Sequence, residues 1–376
     1  RRGLMTLRGV RERDWYDEKP SQGRAFSSGF LDLLSFLYGI GVRAAFTARR
    51  KGLLKTKNLP GFVLSVGNLT VGGTGKTPAA VMIARWARDR GHRVAVLSRG
   101  YGGATRQRTL VVSDGTRVLA GPDQAGDEPC LMARRLEEVP VVVGRKRYDA
   151  GVKARKVFGS DFFVLDDGFQ HHGLARDLNL LLLDATLPFG NGRLLPAGPL
   201  REPTSAVSRA HALILTRAEE CERAFKNAAR LRREWAPRPV FLGRHVARRV
   251  VLPGGEKHAV PGILKGMRVA AFAGIGRPAS FMRTLDACGA QTVLFESFRD
   301  HHEFRAREIR ALLDRARALG AELVLTTEKD WIRLFHLSWA RERIGYLRIR
   351  FEMSKEDDGF FEWLEAIVPP PGKAGR

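Results

Sequence analysis

Apolar residues fall in short runs separated by glycine-rich or charged turns. Phe62, Val63, Leu64 and Val66 form one run suited to a buried strand. A glycine-rich turn follows, then Gly75-Lys76-Thr77 and Pro78, which suits the first turn of a helix. Ala79, Met82, Ile83, Trp86 and Ala87 then recur at helical spacing, and Gly91 sits where a helix ends. Further strand-like runs cover 93–97, 140–143, 162–165, 180–183 and 212–215. Their alternation with helical segments predicts an α/β fold, a parallel sheet with helices on both faces. Polar residues, among them Asp166-Asp167, Asp184 and Thr216-Arg217, follow the carboxyl ends of these runs, where such sheets bind ligands.

Past this region, 217–235 reads as a charged helix broken by Pro237 and Pro239. Residues 240–260 read as short strands around a Pro-Gly-Gly turn at 253–255. A second αβ pattern starts at 267–272, turns at Gly274-Ile275-Gly276-Arg277-Pro278, and continues as helix 279–287, strand 291–295, helix 303–318 and strand 321–326. A boundary near 238 is expected, giving a domain over 28–238 and a smaller α/β domain over 239–368. Residues 1–27 read as a poorly ordered extension without a signal-peptide pattern, and 369–376 as a disordered tail.

Residues 29–46 carry Phe30, Leu33, Leu34, Leu37, Ile40 and Ala44 on one helical face, with Arg49, Arg50, Lys51, Lys55 and Lys57 just beyond. Asp32 and Arg43 interrupt the run, which is short for a membrane span. Two readings fit equally at this point: a helix lying in an anionic membrane interface, or one packed on the domain's own core.

The 376-residue chain has a formal net charge of +24. That balance attracts polyanions such as nucleic acid, acidic headgroups or phosphorylated substrates. The charge is widely spread, and no nucleic-acid motif or basic stretch interleaved with aromatics is visible. Cys130, Cys221 and Cys288 are far apart without metal-ligand spacing and read as reduced packing thiols.

The candidate chemistry starts at the loop Thr70-Val71-Gly72-Gly73-Thr74-Gly75-Lys76-Thr77. Loop N–H groups and a helix N-terminus cradle phosphates, the Lys76 ammonium adds charge, and the Thr77 hydroxyl can bind Mg²⁺. Thr70 stands where the full P-loop pattern has glycine, and Gly72-Gly73 supply the turn. Asp166-Asp167 closes a hydrophobic strand, as the second acidic motif of P-loop enzymes does, and Gly168-Phe169-Gln170-His171-His172 follows. Asp127-Glu128 and Asp300-His301-His302 would be unremarkable alone, though a carboxylate paired with a histidine can accept a hydroxyl proton.

Together these blocks resemble the tetraacyldisaccharide 4'-kinase family of lipid A synthesis. SVGNLTVGGTGKTP, SRGYGG, GDEP, DDGFQHH, PFGNGRLLPAGPLREP, FAGIGRP, DHH and TTEKDW occur in family order over roughly 29–365. The resemblance implies a P-loop kinase domain, a smaller α/β domain, and an N-terminal amphipathic helix on the cytoplasmic face of the inner membrane. ATP and Mg²⁺ are the expected cofactors. The expected acceptor is an acylated glucosamine disaccharide 1-phosphate, phosphorylated on its 4'-hydroxyl by a monomer with no nucleic-acid partner. Carried over by position, Asp127 matches the catalytic base and His301 its partner across the cleft. Lys76 and Arg201 match phosphate-binding groups, and Thr77, Asp166, Asp167, Gln170 and Glu202 the groups around Mg²⁺. Arg99, Tyr101, Arg147 and His171 match residues lining the lipid site. A base split between two domains is expected to assemble only on domain closure. The competing readings are a nucleic-acid-dependent ATPase and a membrane-docked nucleotide switch.

Overall fold

The computed structural model describes residues 25–53, 55–218, 223–255, 257–354 and 359–372. Most of the expected N-terminal extension, Cys221 and residues 373–376 of the expected tail therefore lie outside the described residues. Thirteen strands among them join one mixed sheet: β1 (Phe62–Asn68), β2 (Val94–Ser98), β3 (Leu110–Ser113), β4 (Val141–Val143), β5 (Phe162–Asp166), β6 (Leu178–Asp184), β7 (Ala212–Thr216), β8 (Val240–Val251), β9 (His258–Ala259), β10 (Arg268–Ala273), β11 (Gln291–Ser297), β12 (Leu323–Thr327) and β13 (Gly345–Met353). The order is β11-β10-β12-β13-β8-β7-β6-β1-β5-β2-β4-β3, with β9 on β8. The helices are α1 (Ala25–Arg50), α2 (Lys76–Asp89), α3 (Pro122–Ala125), α4 (Asp127–Arg135), α5 (Arg147–Phe158), α6 (Arg223–Glu234), α7 (Pro278–Ala287), α8 (Ala306–Ala318), α9 (Glu328–Arg333), α10 (Ser338–Arg341) and α11 (Gly359–Ile367).

The predicted parallel core is present: β1 lies between β5 and β6, parallel to both. All seven β1 residues are buried, as a strand covered on both faces requires. On α2, Ala79, Ala80, Ile83, Ala84 and Ala87 turn into the same core, which explains their helical spacing.

The stretch 240–260 corrects the sequence expectation. Instead of several short strands, β8 runs unbroken through twelve residues. Its first part pairs parallel with β7 and its remainder antiparallel with β13. Charged residues in its middle hide the strand pattern; one of them, Arg248, meets Glu352 across the ladder. A single strand thus ties the two halves of the sheet together. β3, β13 and α11 were not anticipated.

Helix α1 begins earlier and ends later than expected, and Gly29–Arg49 is long and apolar enough to cross a membrane by length and composition alone. This revises the reading of 29–46 as too short. Contacts along its length nevertheless hold it against the body. Asp32 pairs with Arg193 at 2.7 Å, Ser35 Oγ donates to the Leu194 carbonyl, and Tyr38 Oη donates to the Arg201 carbonyl. Phe30, Leu33, Phe36, Leu37 and Ile40 are exposed on the other side, so the apolar face is turned away from the core.

Candidate active site

The glycine loop connects β1 to α2 as predicted. Gly75, just before α2, has φ 82°, a left-handed conformation that a side chain would strain. A Cβ there would also lie 2.5 Å from Nε2 of His245, a β8 residue beneath the loop. Burial pushes the His245 imidazole down to about 3, with Arg217 adding repulsion, so it sits neutral under the cradle.

The loop is held by segments distant in sequence. Val71 N–H donates to the Pro199 carbonyl, Arg201 N–H to the Leu69 carbonyl, and Thr70 bridges Leu200. This pairing brings Arg201 to the cradle. Arg217 donates to the Gly73 carbonyl and pairs with Asp184, which Arg277 also meets at 2.7 Å. Burial pushes the Asp184 carboxyl up, but these two guanidiniums outweigh it and hold it below the usual range. Asp184, Arg217 and Arg277 were not assigned roles in advance, although Asp184 and Arg217 stand at strand ends and Arg277 in a glycine-rich turn.

At the end of β5, Asp167 lies 2.9 Å from Arg201 Nη1 and 3.7 Å from Lys76 Nζ. Burial raises its pKa, yet Lys76 and Arg201 dominate and bring it to about 2. Gln170 donates to the Asn68 carbonyl at 2.8 Å, and its Oε1 lies 3.5 Å from Arg201. Asp166 is buried, and burial together with Glu128 and Asp167 pushes its carboxyl up. Its Oδ1 has no hydrogen-bond partner. An orphaned buried carboxylate oxygen beside the cradle lysine fits a Mg²⁺ held by one or two protein oxygens and the nucleotide's phosphates. Among the described residues, no group of three or more His, Cys, Asp and Glu could hold a metal by itself.

Glu202, expected among the groups around Mg²⁺, meets other partners in this structure. One oxygen faces His172 at 3.3 Å and the other meets Arg209. Arg209 is itself seated over the rings of Phe46 and Phe169, so the carboxylate is drawn toward α1. Arg147, expected to line the lipid site, lies beneath two strand ends. It is only 2% exposed, with its guanidinium 3.4 Å from the Gly144 and Asp166 carbonyls at the ends of β4 and β5. Arg99 and Tyr101 are exposed, as lining residues should be. His171 is half-buried, and burial plus the charges of Arg147 and Arg176 bring it down to about 4.

Asp127 and His301, expected to meet on domain closure, are together in this structure. His301 Nδ1 lies 3.3 Å from Asp127 Oδ2 in this structure. The physical reason is a set of ion pairs between α4 and α9. Arg135 meets Glu328 in a buried pair, Lys329 meets Glu128 at 3.2 Å, and Arg333 Nε reaches Asp127 Oδ2 at 2.5 Å. Burial pushes the Asp127 carboxyl up, but the His301 hydrogen bond and Arg333 hold it below the usual range. His302 is turned elsewhere, bonded to Glu308 at 3.1 Å and stacked on Phe298, so His301 is the histidine that faces Asp127 in this structure.

This pair sits beside the phosphate cradle. A Cβ on Gly276 would lie 2.9 Å from the Gly73 nitrogen and 3.5 Å from Asp300 Oδ2, next to His301. Only glycine lets the two loops approach so closely. Lys329 and Arg333 were missed as site residues; the available signal was the acid-base alternation of Thr326-Thr327-Glu328-Lys329-Asp330 at a strand end.

Comparison with known proteins bears on the same arrangement. A sequence model of the family described as Tetraacyldisaccharide-1-P 4'-kinase matches residues 28–369. The tetraacyldisaccharide 4'-kinase of Anaeromyxobacter sp. (strain Fw109-5) is 42% identical over 360 residues, 96% of each chain. That of Syntrophus aciditrophicus is 40% identical over 343 residues, covering 88% of this chain and 90% of its own. The crystal structure of LpxK from Aquifex aeolicus in complex with ATP superposes with a TM-score of 0.72 at 34% identity, covering 91% of this chain and all of that one. Agreement of this extent in sequence and in fold makes the chain a member of the tetraacyldisaccharide 4'-kinase family.

Proposed function

We infer that this chain transfers the γ-phosphate of ATP to the 4'-hydroxyl of a tetraacyldisaccharide 1-phosphate in lipid A synthesis. The observation that carries the reading is the contact of Asp127 with His301 beside the P-loop. A P-loop alone binds nucleotide; a carboxylate positioned next to it can also take the proton of an alcohol acceptor.

In this reading the cradle N–H groups and Lys76 hold the triphosphate, and Arg201 neutralises charge on the γ-phosphate. Asp166 and Thr77 would hold Mg²⁺, with Gln170 and Asp167 beside them; the ion supplies charge neutralisation at the phosphate oxygens. The acceptor oxygen forms its bond to the γ-phosphorus as the β–γ bridging bond breaks, and that electron pair leaves with ADP. The hydroxyl proton passes to Asp127. Arg99, Tyr101 and His171 offer a cationic and aromatic edge for the acceptor's sugar-phosphate.

Exposure of Phe30, Leu33, Phe36, Leu37 and Ile40 beside the basic run 49–57 supports α1 as the helix that seats the enzyme on an anionic membrane face. We propose the cytoplasmic side of the inner membrane, where ATP is present, and action as a monomer built of a P-loop domain and a smaller α/β domain. The test is transfer of label from γ-labelled ATP to the purified disaccharide lipid. Nucleotide hydrolysis stimulated by DNA or RNA with no labelled lipid would overturn the reading.

A further inference from the structure

We propose that Lys329 fixes the tautomer of His301, so that His301 positions Asp127 as hydrogen-bond donor and Asp127 alone takes the acceptor's proton. This rests on the kinase reading above.

His301 Nε2 lies 3.2 Å from Lys329 Nζ. An ammonium donates and cannot accept, so a charged Lys329 requires a lone pair on Nε2. Burial works against that charge, but Glu128 at 3.2 Å and Asp300 at 3.6 Å outweigh it and hold the lysine above its ordinary range. Asp300 is no rival partner for Nε2. It lies 3.9 Å from that nitrogen, and its Oδ1 takes the His301 backbone N–H at 3.0 Å. With Nε2 accepting, the ring proton resides on Nδ1, which faces Asp127 Oδ2 at 3.3 Å.

The ring is held for this purpose. His301 has φ 60°, in the left-handed region, and Tyr101 packs edge-to-face with its ring at 5.6 Å between centroids. In the proposed tautomer Asp127 Oδ2 faces two donors: His301 Nδ1–H, at the 3.3 Å separation of an ion pair, and Arg333 Nε–H, which is hydrogen-bonded to it. Arg333 is fixed in turn by the Gly274 carbonyl at 2.7 Å and Asp330 at 2.8 Å. Both of these donors meet Oδ2, which leaves Oδ1 for the incoming hydroxyl. His301 has no lone pair to offer that hydroxyl: Nδ1 carries a proton and the Nε2 pair is engaged. The histidine and Lys329 are positioning residues.

The experiment is side-chain ¹⁵N NMR of the full chain labelled at histidine, with His301→Gln used to assign the ring signal. The expected spectrum shows the Nδ1–H tautomer in the unaltered protein. In Lys329→Met that pattern is lost and kcat falls at least about tenfold with KM for ATP unchanged, while Lys329→Arg, still a pure donor, keeps Nδ1–H and recovers part of kcat. An Nε2–H or doubly protonated ring in the unaltered protein overturns the proposal, and that spectrum needs no variant to fold. Retention of Nδ1–H in Lys329→Met, or loss of it with undiminished kcat, overturns it as well. If the chain labels no lipid at all while the spectrum is as expected, the kinase reading fails and the tautomer assignment stands.

Discussion

Lys76 and Thr77 follow directly on the strand and turn that place them, whereas Arg333 and Asp127 are 206 residues apart in sequence and 2.5 Å apart in space. The course of the phosphate cradle is set locally by β1, a glycine turn and α2, and distant segments at 199–201 and Arg217 then brace it. The base is a seam. It exists because α4 and α9, from opposite halves of one sheet, meet through Arg135–Glu328, Glu128–Lys329 and Asp127–Arg333. Nucleotide binding and proton acceptance should therefore separate under mutation, since their supports share few residues.

The sharpest separation is expected from Lys76→Ala. Loss of the cradle ammonium should lower turnover by about 10³-fold and weaken ATP binding, read by lipid labelling and by nucleotide titration. Asp127→Ala should lower turnover by about 10²-fold with ATP affinity nearly unchanged. Equal loss of ATP affinity in both variants would erase the distinction between cradle and seam.

Arg135→Met addresses the seam itself. It leaves Glu328 buried with Arg348, at 3.2 Å, as its remaining partner. A loss of about 3 kcal/mol in unfolding free energy is expected, measured by denaturant titration. An unchanged midpoint would mean that β8 alone holds the halves together.

Acid should act on the same architecture more gently. His245 and His171 are held well below the ordinary histidine value, at about 3 and about 4. The unfolded chain binds protons at these rings below about pH 6.5 and the folded one does not, so stability is intact above that pH and lost as pH falls toward these values. A tenfold difference in proton affinity between the folded and unfolded chain corresponds to about 1.4 kcal/mol per ring. Thermal midpoints between pH 7 and 5 should fall, and His245→Phe should flatten the decline. A midpoint that rises on acidification contradicts neutral burial of these rings.

The smallest effect on the fold is expected on α1. Phe36→Asp with Leu37→Asp should abolish binding to anionic vesicles while changing stability by no more than about 0.5 kcal/mol per site, because both residues are exposed. Undiminished vesicle binding would remove α1 from the membrane reading.

Elements whose causes are local were legible in the amino-acid order. Short continuous apolar runs and period-3.6 spacing marked β1, α2 and the parallel core, because burial on one or both faces leaves a signature within a few residues. The glycine loop and the acids after β5 were legible for the same reason. Three other features arise only in the assembled molecule. The halves are joined through β8, whose charged middle conceals a strand that is satisfied by pairing on both sides. Glu202 is drawn away from the cradle toward Arg209, and Arg147 is sunk under two strand ends. Asp127, His301, Lys329 and Arg333 come together from segments far apart in the chain. A charged side chain carries no mark in sequence of which distant partner will balance it, since electrostatic pairing depends on separation in space and on burial, and both are set only when the sheet has closed.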